Sequence, residues 1–600
     1  MTTQKAANRS HYFFYLFAHI FLFICLFSVL FLNLLSYEKL TSYINTLRPG
    51  KPYTFFTPNY HFYFKTYSIL IGFFFLGLII FLKNRKYQYL DYIHNLKIEF
   101  YTLVNKTRTK INIFFTSEKK THLYVIFSIF FIGIGVRLFY LNRPMFHDES
   151  KTFYSFISRG WIETITNYYV PNNHVFHSVL SRFSFLIFGN EEWAIRLPVF
   201  FVGCITILFC YFSTRSIFNK NIAIILTAIT TNAIPLVNYS VNARGFIINT
   251  FFFLLLLLIT KELNKTHNVI LFSLSIIISA LGLWAVPSMI MPLLFIFYWY
   301  LLSSNLKNLL GRFLKSMKAI SLIGFLSLFF YSPIILRATS IKILVPNHLP
   351  AVKSMTIDMM LYHLFDFWDF LTSGYSQNFK YIIIIFLFIG VIYHLSHKRG
   401  KKLFYTLILT SFSFVFIFKI IPTDRSLLWF YPIFWTYVVT GIYSILILIS
   451  KIIKIKIEHL SNYFSLLIFS YTLIICIEEK GTIQKYKEQT FIEAEKIIED
   501  IQDELTKNQK IMTSSPLAGP IRYYLMKNNI PKDVLFWSVD KSKSQIPLLN
   551  SDKIYIITRN GRNNLESYGF ELSRLIREFS PPKLWKVYLN NAKVYTIDKL

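Results

Sequence analysis

This chain has few cysteines, and half as many acidic residues as basic ones. Only four cysteines occur in 600 residues, and Cys25, Cys204, Cys210 and Cys476 all lie in or at the end of apolar runs, with no CxxC pair and no spaced partners. Neither a disulfide framework nor a zinc centre is indicated. Charged residues of both signs make up just 16% of the composition, while 54% is hydrophobic, 19% is aromatic and the mean hydropathy is +0.44. That balance excludes an ordinary soluble globular protein and implies a polytopic membrane protein.

What is present are apolar runs that approach or exceed the roughly 20 residues needed to cross a hydrocarbon core of about 30 Å as helix. They recur from the N-terminus to about Ile477. The runs are continuous rather than alternating, so they read as helices and not as barrel strands.

The 31 acids face 63 lysines and arginines, a net charge of +32. Nucleic acid is not the implied partner, because the basic residues sit in short connections between apolar runs, the positive-inside pattern. From Lys83 to Lys120 the chain carries nine basic residues against Asp91, Glu99 and Glu118, which places this segment in the cytoplasm. Threading from there predicts about thirteen spans: near 11–34, 66–82, 122–141, 194–212, 221–239, 245–260, 268–286, 288–303, 319–337, 380–396, 403–421, 427–450 and 460–477. The first reads as a retained span rather than a cleaved signal, since its apolar region is long and no small-residue cleavage site follows Leu35.

Parity then puts residues 142–193, the Asn242-Ala243-Arg244 corner, a loop at 338–379, the Pro422-Thr423-Asp424-Arg425 turn and everything after about 478 outside. Three domains follow: a two-helix extension with a basic cytoplasmic loop (1–121), a transmembrane module (122–478) and a soluble extracytoplasmic α/β domain (479–600). In the last, Ile492, Ile497, Ile498, Ile501 and Leu505 recur at helical spacing. Lys510–Thr513, Val534–Val539 and Ile554–Thr558 read as short buried strands, and Trp585–Leu589 with Lys593–Ile597 as a terminal hairpin. No phosphate-binding glycine pattern occurs there, so the domain reads as accessory.

In so acid-poor a chain, Asp148 and Glu149 stand out, because they fall just past the apolar segment Leu123–Leu141. Acids at a membrane border usually have work to do, although an Asp-Glu pair alone is most often a solvated turn. An enzyme that moves a sugar outside the membrane cannot draw on cytosolic nucleotide sugars. Its natural donor is a sugar carried on a polyprenyl phosphate. Such a site needs a carboxylate to take the proton of the acceptor hydroxyl and cations to stabilise the departing phosphate. Asp148 and Glu149 meet the first need. For the second, the outer side offers Arg137, Arg143, Arg196, Arg244 and Arg425. Arg244 and Arg425 lie at short outer corners where a guanidinium can meet a lipid phosphate, or else snorkel to headgroups, and Arg196 reads as pinning a helix start. Asn172-Asn173-His174 lies in the same loop as the acids. Asn173 and His174 are candidate substrate contacts, and a polar interfacial histidine is the bland alternative for the latter. Tyr331-Ser332-Pro333 and Pro346-Asn347-His348 border the other large outer loop, and Tyr331 is a further candidate for closing over the donor.

Three of these stretches, in this order, resemble a known family. They are His147-Asp148-Glu149; Asn172-Asn173-His174 followed by Phe188-Gly189-Asn190-Glu191-Glu192-Trp193-Ala194-Ile195-Arg196-Leu197-Pro198; and Asn242-Ala243-Arg244-Gly245-Phe246. They are similar to the motifs of bacterial GT-C glycosyltransferases of the protein O-mannosyltransferase and lipid A aminoarabinose transferase superfamily, over about residues 120–300. The resemblance implies a GT-C helical bundle, a polyprenyl-phosphate sugar donor, inversion at the anomeric carbon, Asp148 as base and the family's arginine role at Arg244. It leaves the sugar and the acceptor (glycan, lipid or protein) unspecified. A divalent metal is compatible with this chemistry but not required, since arginines alone can neutralise a monophosphate. The resemblance also implies a bacterial plasma membrane. Two features depart from the family pattern: the N-terminal extension, and His147 ahead of the acids. The rival reading is a lipid-linked-sugar transporter or flippase, which would need ionisable residues within its spans. The middle of most spans has none, and no inverted repeat is visible. A polymer-export subunit without chemistry is the third reading.

Overall fold

The computed structural model describes residues 19–46, 58–168, 172–338, 357–414, 423–478, 491–537, 551–559 and 578–600, apart from short gaps at 21, 32, 85, 267, 304–307, 506–507, 514–515 and 589–591. Two compact units result: Met1–Lys119 with Lys265–Leu274, and Lys120–Asn264 with Ser275–Leu600. In the first unit, α1 (Pro58–Asn84) carries the apolar run Ile69–Leu82, and α2 (Lys86–Ser117) is a helix of 32 residues. Asn33 Nδ2 donates to Ser68 Oγ of α1 at 2.6 Å.

The second unit begins with α3 (Lys120–Leu141), the short helices α4 (His147–Ser155) and α5 (Trp161–Thr166), and α6 (Val175–Phe188). There follow α7 (Glu192–Ile217), α8 (Lys220–Thr231), α9 (Ile234–Ser240) and α10 (Phe246–Leu263). The later long helices are α11 (Leu309–Ala338), α12 (Gln377–Ser396), α13 (Tyr431–Ile452) and α14 (Ile457–Glu478).

Seven helices are long and apolar enough to cross a membrane, and an eighth span results if the bent pair α8–α9 is taken as one. The expected thirteen are therefore not reached among the described residues. The run at 221–239 breaks at Asn232-Ala233 with a 65° bend, where Pro235 stands in the first turn of α9; proline has no N–H to give the carbonyl four residues back, here that of Thr231, and its ring crowds that carbonyl. The runs at 268–286 and 288–303 form helices of 17 and 13 residues, Val269–Ala285 and Ile290–Leu302. The outer loop expected at 338–379 contains a helix, Ile357–Leu371, whereas Pro346-Asn347-His348 lies outside the described residues.

Packing between α12 and α13 depends on two glycines. A Cβ on Gly390 would lie 1.8 Å from the Tyr437 carbonyl oxygen, and one on Gly441 2.0 Å from that of Phe386. Small residues let membrane helices approach this closely, and α13 follows directly on the 3-10 turn Asp424–Phe430.

Residues 509–598 build a five-stranded sheet of order β2-β1-β3-β5-β4, from β1 (Gln509–Thr513), β2 (Leu535–Trp537), β3 (Lys553–Arg559), β4 (Lys583–Val587) and β5 (Ala592–Asp598). β2 and β3 flank β1 in parallel, while β5 runs antiparallel to β3 and β4. The crossover helix is α15 (Ala518–Lys527). One face of this sheet does not close on itself. Its core, including Ile511, Ile521, Tyr555 and Val594, is continuous with Met145, Phe153, Tyr154 and Ile157 from α4 and its flanks. The C-terminal domain thus sits on the same side of the helical module as Asp148 and Glu149 and shares a hydrophobic interior with the segment that bears them.

Candidate active site

Helix α4 starts where Glu149, at its third position, reaches back to accept the Phe146 N–H at 3.1 Å, the half of a capping box that a phenylalanine N-cap allows. The same carboxylate is held bidentately by Arg196 of α7, with Nε to Oε1 at 2.9 Å and Nη2 to Oε2 at 2.8 Å, and both side chains are fully buried. A fourth donor, the Ala243 N–H, completes it at 2.6 Å. Burial pushes the Glu149 carboxyl up, but Arg196 outweighs burial and holds it below the usual glutamate value. Arg196 also donates to the carbonyls of Leu141, Arg143 and Pro144. Glu149, expected to be catalytic, instead has both oxygens taken, and they tie the 141–149 turn to the 242–245 corner. Arg196 does far more than start a helix.

Asp148, the adjacent residue, faces the other way. Its side chain is 26% exposed, with Oδ2 3.1 Å from Arg425 Nη1 and 3.7 Å from Arg244 Nη1. Oδ1 has no partner among the described residues. Burial raises the Asp148 pKa, but Arg244 and then Arg425 outweigh it and hold the carboxyl below the ordinary aspartate value. Both guanidiniums lie about 6 Å from the Phe246 ring, at 5.8 Å for Arg244 and 6.0 Å for Arg425. Arg244 is buried and its Nε has no partner in the structure, whereas Arg425 is 40% exposed. One carboxylate and two cations thus converge from three distant stretches of sequence.

The Asn-Asn-His stretch builds the floor. Asn172 accepts from Arg244 Nη1 through Oδ1 and donates through Nδ2 to the Asp148 carbonyl at 3.0 Å. Asn173, the expected substrate contact, has every polar group engaged instead: Nδ2 donates to the carbonyls of Thr164 and Asn167, and Oδ1 accepts from Ser178. It is the neighbour, Asn172, that reaches Arg244. His174 Nδ1 accepts the Gly245 N–H at 2.7 Å, and its ring meets Phe246 edge-on at 4.8 Å. Burial first, and Arg244 second, push its pKa well below the ordinary histidine value. It is a neutral prop for the arginine corner, not an exposed ligand for substrate.

Two other expected substrate residues lie elsewhere. Arg137 is buried in α3, donating to the carbonyls of Gly133 and Thr231, both at 3.0 Å, and to Ser240 Oγ at 3.2 Å. It satisfies the carbonyl that the break between α8 and α9 leaves open. Tyr331 gives its hydroxyl to the Leu283 carbonyl at 2.8 Å and packs edge-on against Tyr168. His147, ahead of the acids, is held by the C-terminal domain: Nδ1 lies 2.8 Å from the Pro516 carbonyl oxygen, and Gly519 leaves room for the ring.

A metal centre does not fit this donor set. Asp148 is a single carboxylate already facing two guanidiniums, and no group of three or more His, Cys, Asp or Glu side chains converges among the described residues.

Residues 174–336 match the family model described as dolichyl-phosphate-mannose-protein mannosyltransferase. Among solved structures, apo ArnT from Cupriavidus metallidurans shares 10% identity over 79% of this chain and 97% of its own, with a TM-score of 0.51. The same protein bound to undecaprenyl phosphate shares 12% identity over 79% of this chain and 97% of its own, with a TM-score of 0.45. The Archaeoglobus fulgidus oligosaccharyltransferase in complex with zinc and sulfate shares 14% identity over 78% of this chain and 72% of its own, with a TM-score of 0.45. No curated protein sequence matches the chain. The chain is thus a multi-pass membrane protein that shares the fold of ArnT and matches the dolichyl-phosphate-mannose-protein mannosyltransferase model across residues 174–336.

Proposed function

We propose that the chain transfers a sugar from a polyprenyl-phosphate donor to a hydroxyl on an extracytoplasmic acceptor, with inversion at the anomeric carbon. The observation that carries this reading is Asp148 Oδ2 held between Arg425 and Arg244, at 3.1 Å and 3.7 Å. The description of the matched family, whose donor is dolichyl-phosphate-mannose, supports the donor class. The basic segment 83–120, read as cytoplasmic, is joined through the single span α3 to the Asp148 turn, which supports an outward-facing site, and the core shared with α4 supports an extracytoplasmic C-terminal domain.

The acceptor oxygen attacks the anomeric carbon, and the bond from that carbon to the phosphate oxygen breaks. Asp148 takes the hydroxyl proton, and polyprenyl phosphate leaves with the electron pair, stabilised by Arg244 and Arg425. In the resting site the arginines pair with Asp148, which makes it a weak base. A donor phosphate draws both guanidiniums toward itself, so Asp148 becomes more basic as substrate binds.

Wild-type and Asp148→Asn protein, purified and reconstituted with lipid, would be given a panel of radiolabelled polyprenyl-phosphate sugars and a cell-envelope extract. Release of polyprenyl phosphate by the wild type alone is the expected result. Equal turnover by Asp148→Asn would sink the assignment of the base. Movement of the headgroup across proteoliposomes without turnover would replace the enzyme with a flippase.

A further inference from the structure

Helix α2 presents a surface that sugar transfer does not use. Wound at 3.6 residues per turn, Leu96, Phe100, Leu103, Val104, Ile111 and Phe115 fall within an arc of about 120°. Phe100, Val104, Ile111 and Phe115 are 53%, 44%, 51% and 49% exposed. The opposite arc carries Asn95, Thr102, Asn105, Thr109 and Asn112, interrupted by the exposed Ile98 and Ile113. Lys97 and Arg108 fall at one edge of the apolar face and Lys110 at the other, and the segment Lys83–Lys120 holds nine basic residues against three acids. Cations along both borders of an apolar face suit a helix lying among anionic headgroups, with lysine and arginine stems reaching out of the apolar layer.

Connectivity narrows the orientation. One residue separates α1, with its apolar run Ile69–Leu82, from α2, and two separate α2 from the span α3. A straight helix of 32 residues is about 48 Å long. With the span α3 joined to one end and the apolar run of α1, expected to cross as a span, joined to the other, both ends of α2 are held at the bilayer surface, and a rod so held lies along that surface.

We propose that α2 is an interfacial helix that binds the anionic phospholipid surface on the positive-inside face of the membrane. Its apolar face sinks to the acyl boundary, and its bordering lysines and arginines pair with lipid phosphates.

The full chain tests this in a Cys25→Ser background, since the other three cysteines are buried. Single cysteines at Val104 and Ile111, and at Thr102 and Thr109, would carry an environment-sensitive fluorophore. The protein would be placed one copy per nanodisc, in phosphatidylcholine with or without about 30% phosphatidylglycerol. In anionic discs, a lipid-borne nitroxide is expected to quench 104 and 111 several-fold more than 102 and 109. Replacing Lys97, Arg108 and Lys110 with glutamine should shrink that difference. Equal quenching of all four positions by aqueous iodide, with none by the lipid nitroxide, would overturn the proposal. So would face-specific quenching indifferent both to phosphatidylglycerol and to the glutamine variants. A single copy per disc removes a second chain as the covering surface.

Discussion

At the scale of single residues, the two adjacent acids have opposite fates because α4 turns them to opposite sides. Glu149 is sealed against Arg196, so Glu149→Gln leaves a buried guanidinium short of its counter-charge. Breaking such a pair costs about 3–5 kcal/mol, and a thermal melt of the variant should show that loss with donor affinity falling only in step with folding. Because the folded-state pKa of Glu149 is depressed, its stabilisation is fully present above the ordinary glutamate value and is lost as pH falls through the depressed one. The variant's stability should therefore vary less with pH in the acid range. Asp148 has an open edge, so Asp148→Asn should lower kcat by about 10²–10⁴ with the melt unchanged. Arg425 lowers the Asp148 pKa. Arg425→Gln should accordingly move the acid limb of the kcat/KM profile to higher pH while raising KM for the donor. A limb that stays put would show that Arg425 does not act on the base.

At the scale of elements, the long apolar runs were legible because their composition needs no partner to be interpreted. The break between α8 and α9 was harder to see, since residues 221–239 are apolar enough to read as one span, and only Thr230-Thr231-Asn232 and Pro235 mark the interruption. Arg137 was misread for the same reason. An arginine in a membrane helix suggests substrate until the open Thr231 carbonyl that it satisfies is located. Asn172 and Asn173 are indistinguishable in sequence, and only the loop's path decides which one reaches Arg244. The α12–α13 contact yields a prediction of its own kind. Gly390→Ala and Gly441→Ala each force a Cβ onto a facing backbone carbonyl. Each should destabilise by about 1–3 kcal/mol or more, and the double variant should cost less than the two added together, because helices already parted accept the second methyl. A separated α13 also shifts the turn that carries Arg425, so donor KM should rise in both. Strict additivity by thermal melt would refute this account of the contact.

At the scale of the whole molecule, residues 479–600 read in sequence as an accessory domain, because alternating strands and an amphipathic helix suffice to make a self-contained sheet. What the sequence could not display is that the sheet's core runs on into α4. Tyr524 OH accepts the Met145 N–H at 3.3 Å, Tyr523 OH donates to the Asn190 carbonyl at 2.5 Å, and Lys527 pairs with Glu192 at 2.9 Å. Ending the chain after Glu478 would uncover Phe153, Tyr154 and Ile157 and release His147 from Pro516. Such a truncation should insert normally yet lose transfer by at least the factor seen for Asp148→Asn, read by polyprenyl phosphate release. Retained transfer would show that the domain is dispensable.

The contact between His147 and Pro516 also sets a timetable. The two residues are 369 positions apart, and chains are made from the N-terminus at about 5–20 residues per second. The helical module can be inserted well before the last strands are translated. The nascent protein therefore passes through a period in which it already occupies the bilayer but has no ordered cradle for lipid-linked sugar, and only completed copies become competent.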